Sequence, residues 1–118
     1  MPRTIKCRKI CSFPDYYSFV PEEVDVGNIE TVMMSLDEYE TVRLLDYEGL
    51  NQEECALRMG VARTTVTAMY ESARKKLVSA VVEGKRLRIA GGNIEIDRER
   101  SGFCVNLKSK GDKAMRVA

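Results

Sequence analysis

Arg63, Thr64, Thr67, Ala68, Glu71, Arg74 and Lys75 fall at helical spacing on one side of the stretch RTTVTAMYESARKKL, with Lys76 next in line. A polar, partly basic face with short hydroxyl side chains near its N-terminal end is what a helix needs to enter a major groove. On that reading Arg63, Thr64, Thr67 and Ala68 face base edges. Arg74, Lys75 and Lys76 lie where a helix leaving the groove meets the phosphate backbone. Catalysis has little to start from. The chain contains no histidine, which removes the commonest general base and the usual Ser/His or Cys/His pairs. It also lacks a glycine-rich phosphate loop of the Walker or dinucleotide type, so no enzyme is expected.

The other chemically active pattern is Cys7-x-x-x-Cys11. A structural zinc site needs four ligands, usually from two close pairs. Here the remaining ligands would have to be Cys55, Cys104, a carboxylate or a second subunit. Zinc or an iron–sulfur cluster at Cys7 and Cys11, including a four-thiolate site shared across a dimer, stands beside the simpler reading of an unliganded pair. Cys55 is better explained as a core residue.

The element that must position the reading face is a pair of helices between Asn51 and Glu83. Asn51 and Glu54 have the spacing of a capping box, with Leu50 and Cys55 at its staple positions. Gly60 sits where the chain must turn sharply. Ala56, four residues earlier, is small enough for a second helix to cross close by. Cys55, Met59, Val61, Val66 and Met69 supply a shared core. A plain helical hairpin would show much of this too. What favours a helix-turn-helix is that small residue, corner glycine and core spacing coincide in one register, while the exposed face turns basic. The second helix continues through Val66, Met69, Ala73, Leu77 and Val81 to Gly84, a length of about 30 Å. Its C-terminal half is therefore expected to pack on other elements or on a second subunit.

Upstream, Ser35 and Glu38 form another capping box, with Met34 and Tyr39 as staple, and Leu36, Tyr39, Val42 and Leu45 make the apolar stripe of a support helix ending near Gly49. The segment Phe13–Pro21 is extended between prolines, and its aromatics are expected to lie across a hydrophobic surface, with base stacking as the lesser alternative. Residues 22–28 read as a connector and 29–34 as a short strand. Downstream, Leu87 and Ile89, then Ile94 and Ile96, alternate with charged residues around Gly91-Gly92-Asn93. That pattern predicts a β-hairpin, either a wing bringing Arg86 and Arg88 to DNA or, by slight preference, a scaffold on the long helix. Residues 1–34 are thus a basic, Cys-containing N-terminal segment and connector. Residues 35–97 are a mainly α, tri-helical domain with a small C-terminal β-hairpin. Residues 98–118 are a charged tail, expected to be partly disordered, with a strand at Phe103–Leu107 as one option.

The formal charge of +1 conceals a strong polarity: +4 over residues 1–14, −11 over 15–54 and +8 over 55–118. That distribution suits a polyanion on one side and solvent or a protein on the other. No membrane span or signal peptide is visible, and four cysteines without a secretion signal are expected to be thiols or metal ligands in a cytoplasmic protein.

The blocks KCRKIC with FP, SLDEYETVRLLDYEGLNQEECALRMGVARTTV, SARKKL and GKRLRIAGGNIEI together resemble the small prokaryotic proteins of domain-of-unknown-function family 134 over residues 2–97. The resemblance implies a helix-turn-helix like region 4 of sigma-70-type factors, with Gln52–Gly60 as first helix and Arg63–Glu71 as reading helix. It makes Cys7 and Cys11 a family feature of unknown purpose. Some relatives carry a domain similar to dinitrogenase iron–molybdenum cofactor proteins, for which the tail here is too short. Ala62 replaces the usual hydroxyl N-cap of the reading helix. The expected function is sequence-specific binding of double-stranded DNA by a transcriptional regulator, as a homodimer. The alternatives are a module docking on RNA polymerase through the acidic half, and a metal- or redox-responsive switch at Cys7 and Cys11.

Overall fold

Three helices carry the fold: α1 (Leu36–Val42), α2 (Gln52–Met59) and α3 (Arg63–Glu83). A computed structural model describes residues 7–96. The expectations for residues 1–6 and for the tail from Asp97 onward, including Cys104 and the strand at Phe103–Leu107, lie outside the described residues. Both capping boxes form. Ser35 Oγ accepts from the Glu38 amide at 3.3 Å while Glu38 Oε1 accepts from the Ser35 amide at 3.0 Å. At α2, Asn51 Oδ1 accepts from Glu54 N at 2.8 Å and Glu54 Oε1 from Asn51 N at 2.9 Å. Each box satisfies two amides that a helix start leaves without partners. α3 has no such cap, because Ala62 at its N-cap has no acceptor to offer.

α1 does not stop at a normal C-cap. It runs into a π-helical turn over Arg43–Tyr47, closed by Glu48 N donating to Arg43 O at 2.9 Å. The widened turn lets the Arg43 guanidinium donate to Glu40 Oε1 and to Glu48 Oε2, both at 2.9 Å. It also turns Leu44 fully inward, a core position that the predicted stripe of Leu36, Tyr39, Val42 and Leu45 omits.

The strands depart from the predicted hairpin. β4 (Arg86–Ile89) pairs with β2 (Ser18–Phe19) antiparallel on one side and with β3 (Thr31–Met34) parallel on the other. β5 (Ile94–Ile96) pairs instead with β1 (Arg8–Ile10), in parallel register from Arg8 opposite Ile94 to Ile10 opposite Ile96. The physical reason is edge occupancy: with both edges of β4 hydrogen-bonded, no edge remains for β5. The Gly91–Gly92 link carries the chain past α1, where Leu36 N donates to Gly91 O at 2.8 Å. A Cβ on Gly92 would stand 2.7 Å from Asp37 Oδ1, and its φ of +107° is unfavourable for other residues.

The sheet residues Ile10, Met34, Leu87 and Ile89 share one core with Leu36 of α1 and with Ala73 and Ala80 of α3. A second core, Leu44, Cys55, Ala56, Met59, Val66 and Met69, joins the π-turn, α2 and the first half of α3. Two expectations fail at the surface. Val81 is 80% exposed and Ala80 takes the inward place, since three residues beyond Leu77 stay nearer the buried stripe than four do. The aromatics Phe13, Tyr16, Tyr17 and Phe19 are at least half exposed, rather than lying across a hydrophobic surface. Among the described residues, no helix is long and apolar enough to cross a membrane.

Candidate nucleic-acid interface

The corner between α2 and α3 is built by Gly60, which takes the left-handed conformation (φ 68°, ψ 38°). Only glycine adopts this conformation without a steric cost. Val61 N then donates to Ala56 O at 3.0 Å, and the chain re-enters helix at Arg63. Cys55, Met59 and Val66 are fully buried under this corner. Burial pushes the Cys55 thiol up to about 11, with the Glu40 charge acting in the same direction, so Cys55 is a core group and not a reactive thiolate.

The packing leaves Arg63, Thr64, Ala68, Glu71, Arg74 and Lys75 exposed, as the sequence predicts. Two residues of the predicted set sit differently. Thr67 is half-buried, and its hydroxyl lies 2.7 Å from Gln52 Oε1 and 3.2 Å from Arg63 O, tying the start of α2 to α3. Lys76 is drawn towards α1. Its Nζ donates to Glu38 Oε1 at 2.7 Å, and the Ser72 hydroxyl donates to Glu38 Oε2. Burial raises the Glu38 carboxyl, but hydrogen bonds from Lys76, Ser72 and the Ser35 amide outweigh it and hold the group below its ordinary value. This buried carboxylate thus fixes α3 against α1. Arg74 is 61% exposed, yet its Nε lies 3.7 Å from Asp46 Oδ2 and its guanidinium 5.1 Å over the Tyr70 ring.

One cation near this unit is missed by the helix-based reading. The Lys9 side chain runs within 3.8 Å of where a Gly60 Cβ would be, so β1 brings the basic N-terminal segment to the α2–α3 corner. The only sequence signal for it is the four-fold positive charge of residues 1–14.

Cys7 and Cys11 meet different neighbours. Cys7 has a free thiol that donates to Asn93 Oδ1 at 3.3 Å. Cys11 is disulfide-bonded, where the sequence reading favours thiols or metal ligands. It is buried, its Sγ accepting from Arg43 Nη2 at 3.2 Å and its amide donating to Glu40 Oε2 at 3.1 Å. A guanidinium at the sulfur is a poor neighbour for a cation. Among the described residues, no three His, Cys, Asp or Glu side chains come together as a metal-binding group.

A three-helix chain with small strands, an uncapped long helix after a left-handed corner and a basic exposed stripe is the class that fold and site define. The chain belongs to the family described as protein of unknown function DUF134, which matches residues 1–97. A "UPF0251 protein" of Desulfitobacterium hafniense is 50% identical over 96 residues, covering 81% of this chain and 77% of that one. Another, of Thermoanaerobacter pseudethanolicus, is 42% identical over 103 residues, covering 86% and 87%. A third, of Chlorobaculum tepidum, is 47% identical over 103 residues, and the match spans 87% of this chain but 52% of the relative. No solved structure matches the chain significantly.

Proposed function

We propose that the chain is a sequence-specific DNA-binding protein, a transcriptional regulator, whose α2–corner–α3 unit acts as a helix-turn-helix like region 4 of sigma-70-type factors. The observation that carries the reading is the start of α3. Packing against α2 buries Val66 and Met69 and leaves Arg63, Thr64 and Ala68 outward beside a helix N-terminus with no side-chain cap. The free amides and the positive end of the helix dipole favour a phosphate there. Arg63, Thr64 and Ala68 approach base edges. Lys75 and Arg74 meet the backbone as the helix leaves the groove, Lys9 adds a cation at the corner, and Thr67 and Lys76 position the helix. No catalytic role is assigned to any residue.

The test is an anisotropy titration of the full chain against fragments of the source genome at about 50 and 200 mM salt. Tight binding to a few fragments that survives the higher salt is the expected result. Weak, uniform binding that collapses with salt would reduce the basic face to an electrostatic footprint and overturn the regulator reading.

A further inference from the structure

The far half of α3 carries an exposed surface that DNA reading does not use. Val78, Val81 and Val82 are 58%, 80% and 74% exposed, although valine is among the residues most often buried. At 3.6 residues per turn, Arg63, Thr67, Arg74, Val78 and Val81 fall within an arc of about 60°. A single stripe is therefore polar and basic through Arg74 and apolar from Val78. Alongside the last turns of α3, the segment around β2 presents Phe19, Val20 and Val24, which are 50%, 44% and 39% exposed. An open groove of about 690 Å³ separates the two.

We propose that this surface binds a second copy of the chain about a two-fold axis close to Val81, α3 against α3. These six side chains expose on the order of 500 Å², near the upper limit for the largest patch of a monomer. Doubled by symmetry, that is about 1,000 Å², the lower bound for a specific interface. Charge points to a copy rather than a charged peptide. Of the three charged residues lining the groove, Glu83 and Lys85 already pair at 2.9 Å, and Lys85 also holds Glu30 at 3.0 Å. A short valine stripe is self-complementary, as an isologous contact requires.

The geometry also joins this surface to the proposed DNA face, and here the argument rests on the helix-turn-helix reading. The reading residues lie some 15 positions before Val81, roughly 23 Å along the helix. Two helices diverging from the axis at near a right angle put their reading ends about 33 Å apart, close to one turn of B-DNA. In such a V the same helix face meets the partner at the vertex and the duplex at the mouth. That accounts for a stripe that changes character along its length.

The test needs no DNA, so its outcome is independent of the DNA reading. In sedimentation equilibrium at about 1–100 µM, the full chain is expected at twice its 13.3 kDa mass. A Val81→Glu/Val82→Glu variant is expected as a monomer with an unchanged circular-dichroism spectrum, because neither side chain belongs to either core. Separately, Val81→Cys is expected to form a covalent dimer on mild oxidation, to an extent the unsubstituted chain does not. A wild-type monomer at 100 µM overturns the proposal, as does a double variant that remains dimeric. A monomer in which deletion of residues 97–118 newly exposes the groove to a hydrophobic dye would assign the surface to the chain's own tail, and would equally overturn it.

Discussion

Thr67 has one hydroxyl proton and two internal oxygens within reach, Gln52 Oε1 and Arg63 O, so its polar group is committed within the protein. Arg63 and Thr64 are left as the exposed polar groups at the tip of α3. Substituting Arg63→Ala is expected to cost about 1–3 kcal/mol on the preferred sequence and less on others, relaxing the preference at one position. Lys75→Ala is expected to weaken all sequences alike and to lower the slope of log K against log salt by about one. Anisotropy titrations of both variants on specific and scrambled duplexes separate the two roles; equal losses from Arg63→Ala on both duplexes would remove its base contact. Lys75 and Lys76 are the same residue type in adjacent positions, yet one is exposed and the other bonded to Glu38. A step of 100° around the helix decides between them. The direction of that step is set by where α1 packs.

At the scale of the element, α3 owes little to local signals and much to its neighbours. Its N-cap is Ala62, without a side-chain hydrogen bond, whereas serine at such a position typically adds on the order of 1 kcal/mol. Ala62→Ser is therefore expected to raise the thermal midpoint by several degrees, measured by circular dichroism; no change would mean that the first turn of α3 is held by packing alone. The link from α1 to α3 has a pH signature. In the folded chain the Glu38 carboxyl lies below its ordinary value, with its burial outweighed by the Lys76, Ser72 and Ser35 hydrogen bonds. The unfolded chain thus binds that proton more readily. The stabilisation is complete above the ordinary carboxylate range of about 4–4.5 and is lost as pH falls through the folded value. Glu38→Gln is expected to destabilise the chain at pH 7 by about 1.5–3 kcal/mol, the usual worth of hydrogen bonds to a charged group. The difference from wild type should shrink as pH falls below 4.5. Urea denaturation at several pH values measures this, and a pH-independent difference would show that Glu38 acts by shape rather than by charge.

For the whole molecule, the proposed dimerisation through the Val81 surface would tie stability to concentration. Mass action then raises the apparent midpoint of unfolding as protein concentration increases. The Val81→Glu/Val82→Glu variant should lose that dependence while keeping its fold, a comparison a dilution series in a calorimeter makes directly. The two cores lie under different parts of α3. Ile10, Met34, Leu87 and Ile89 anchor the sheet to the second half of α3, beneath the proposed dimer surface. Leu44, Cys55, Met59 and Val66 hold the α2–α3 corner. α3 contributes to both.

What the sequence determined by itself is what depends on neighbours within a turn or two. The Ser35–Glu38 and Asn51–Glu54 boxes, the left-handed corner at Gly60, the end of α3 at Gly84 and the core set of Cys55, Met59, Val66 and Met69 all follow from spacings of three to five residues. Tertiary structure decided what depends on partners far along the chain. Leu87–Ile89 and Ile94–Ile96 alternate as a hairpin should, but alternation records only that one face is apolar and says nothing of which edge is free. With β2 and β3 already on β4, β5 could pair only elsewhere, and β1 from the other end of the chain was its partner. The same non-locality brought Lys9 to the corner and drew Lys76 inward to Glu38. In each case a short-range pattern fixes which side chains share a face, and only the packing of remote elements determines what that face meets.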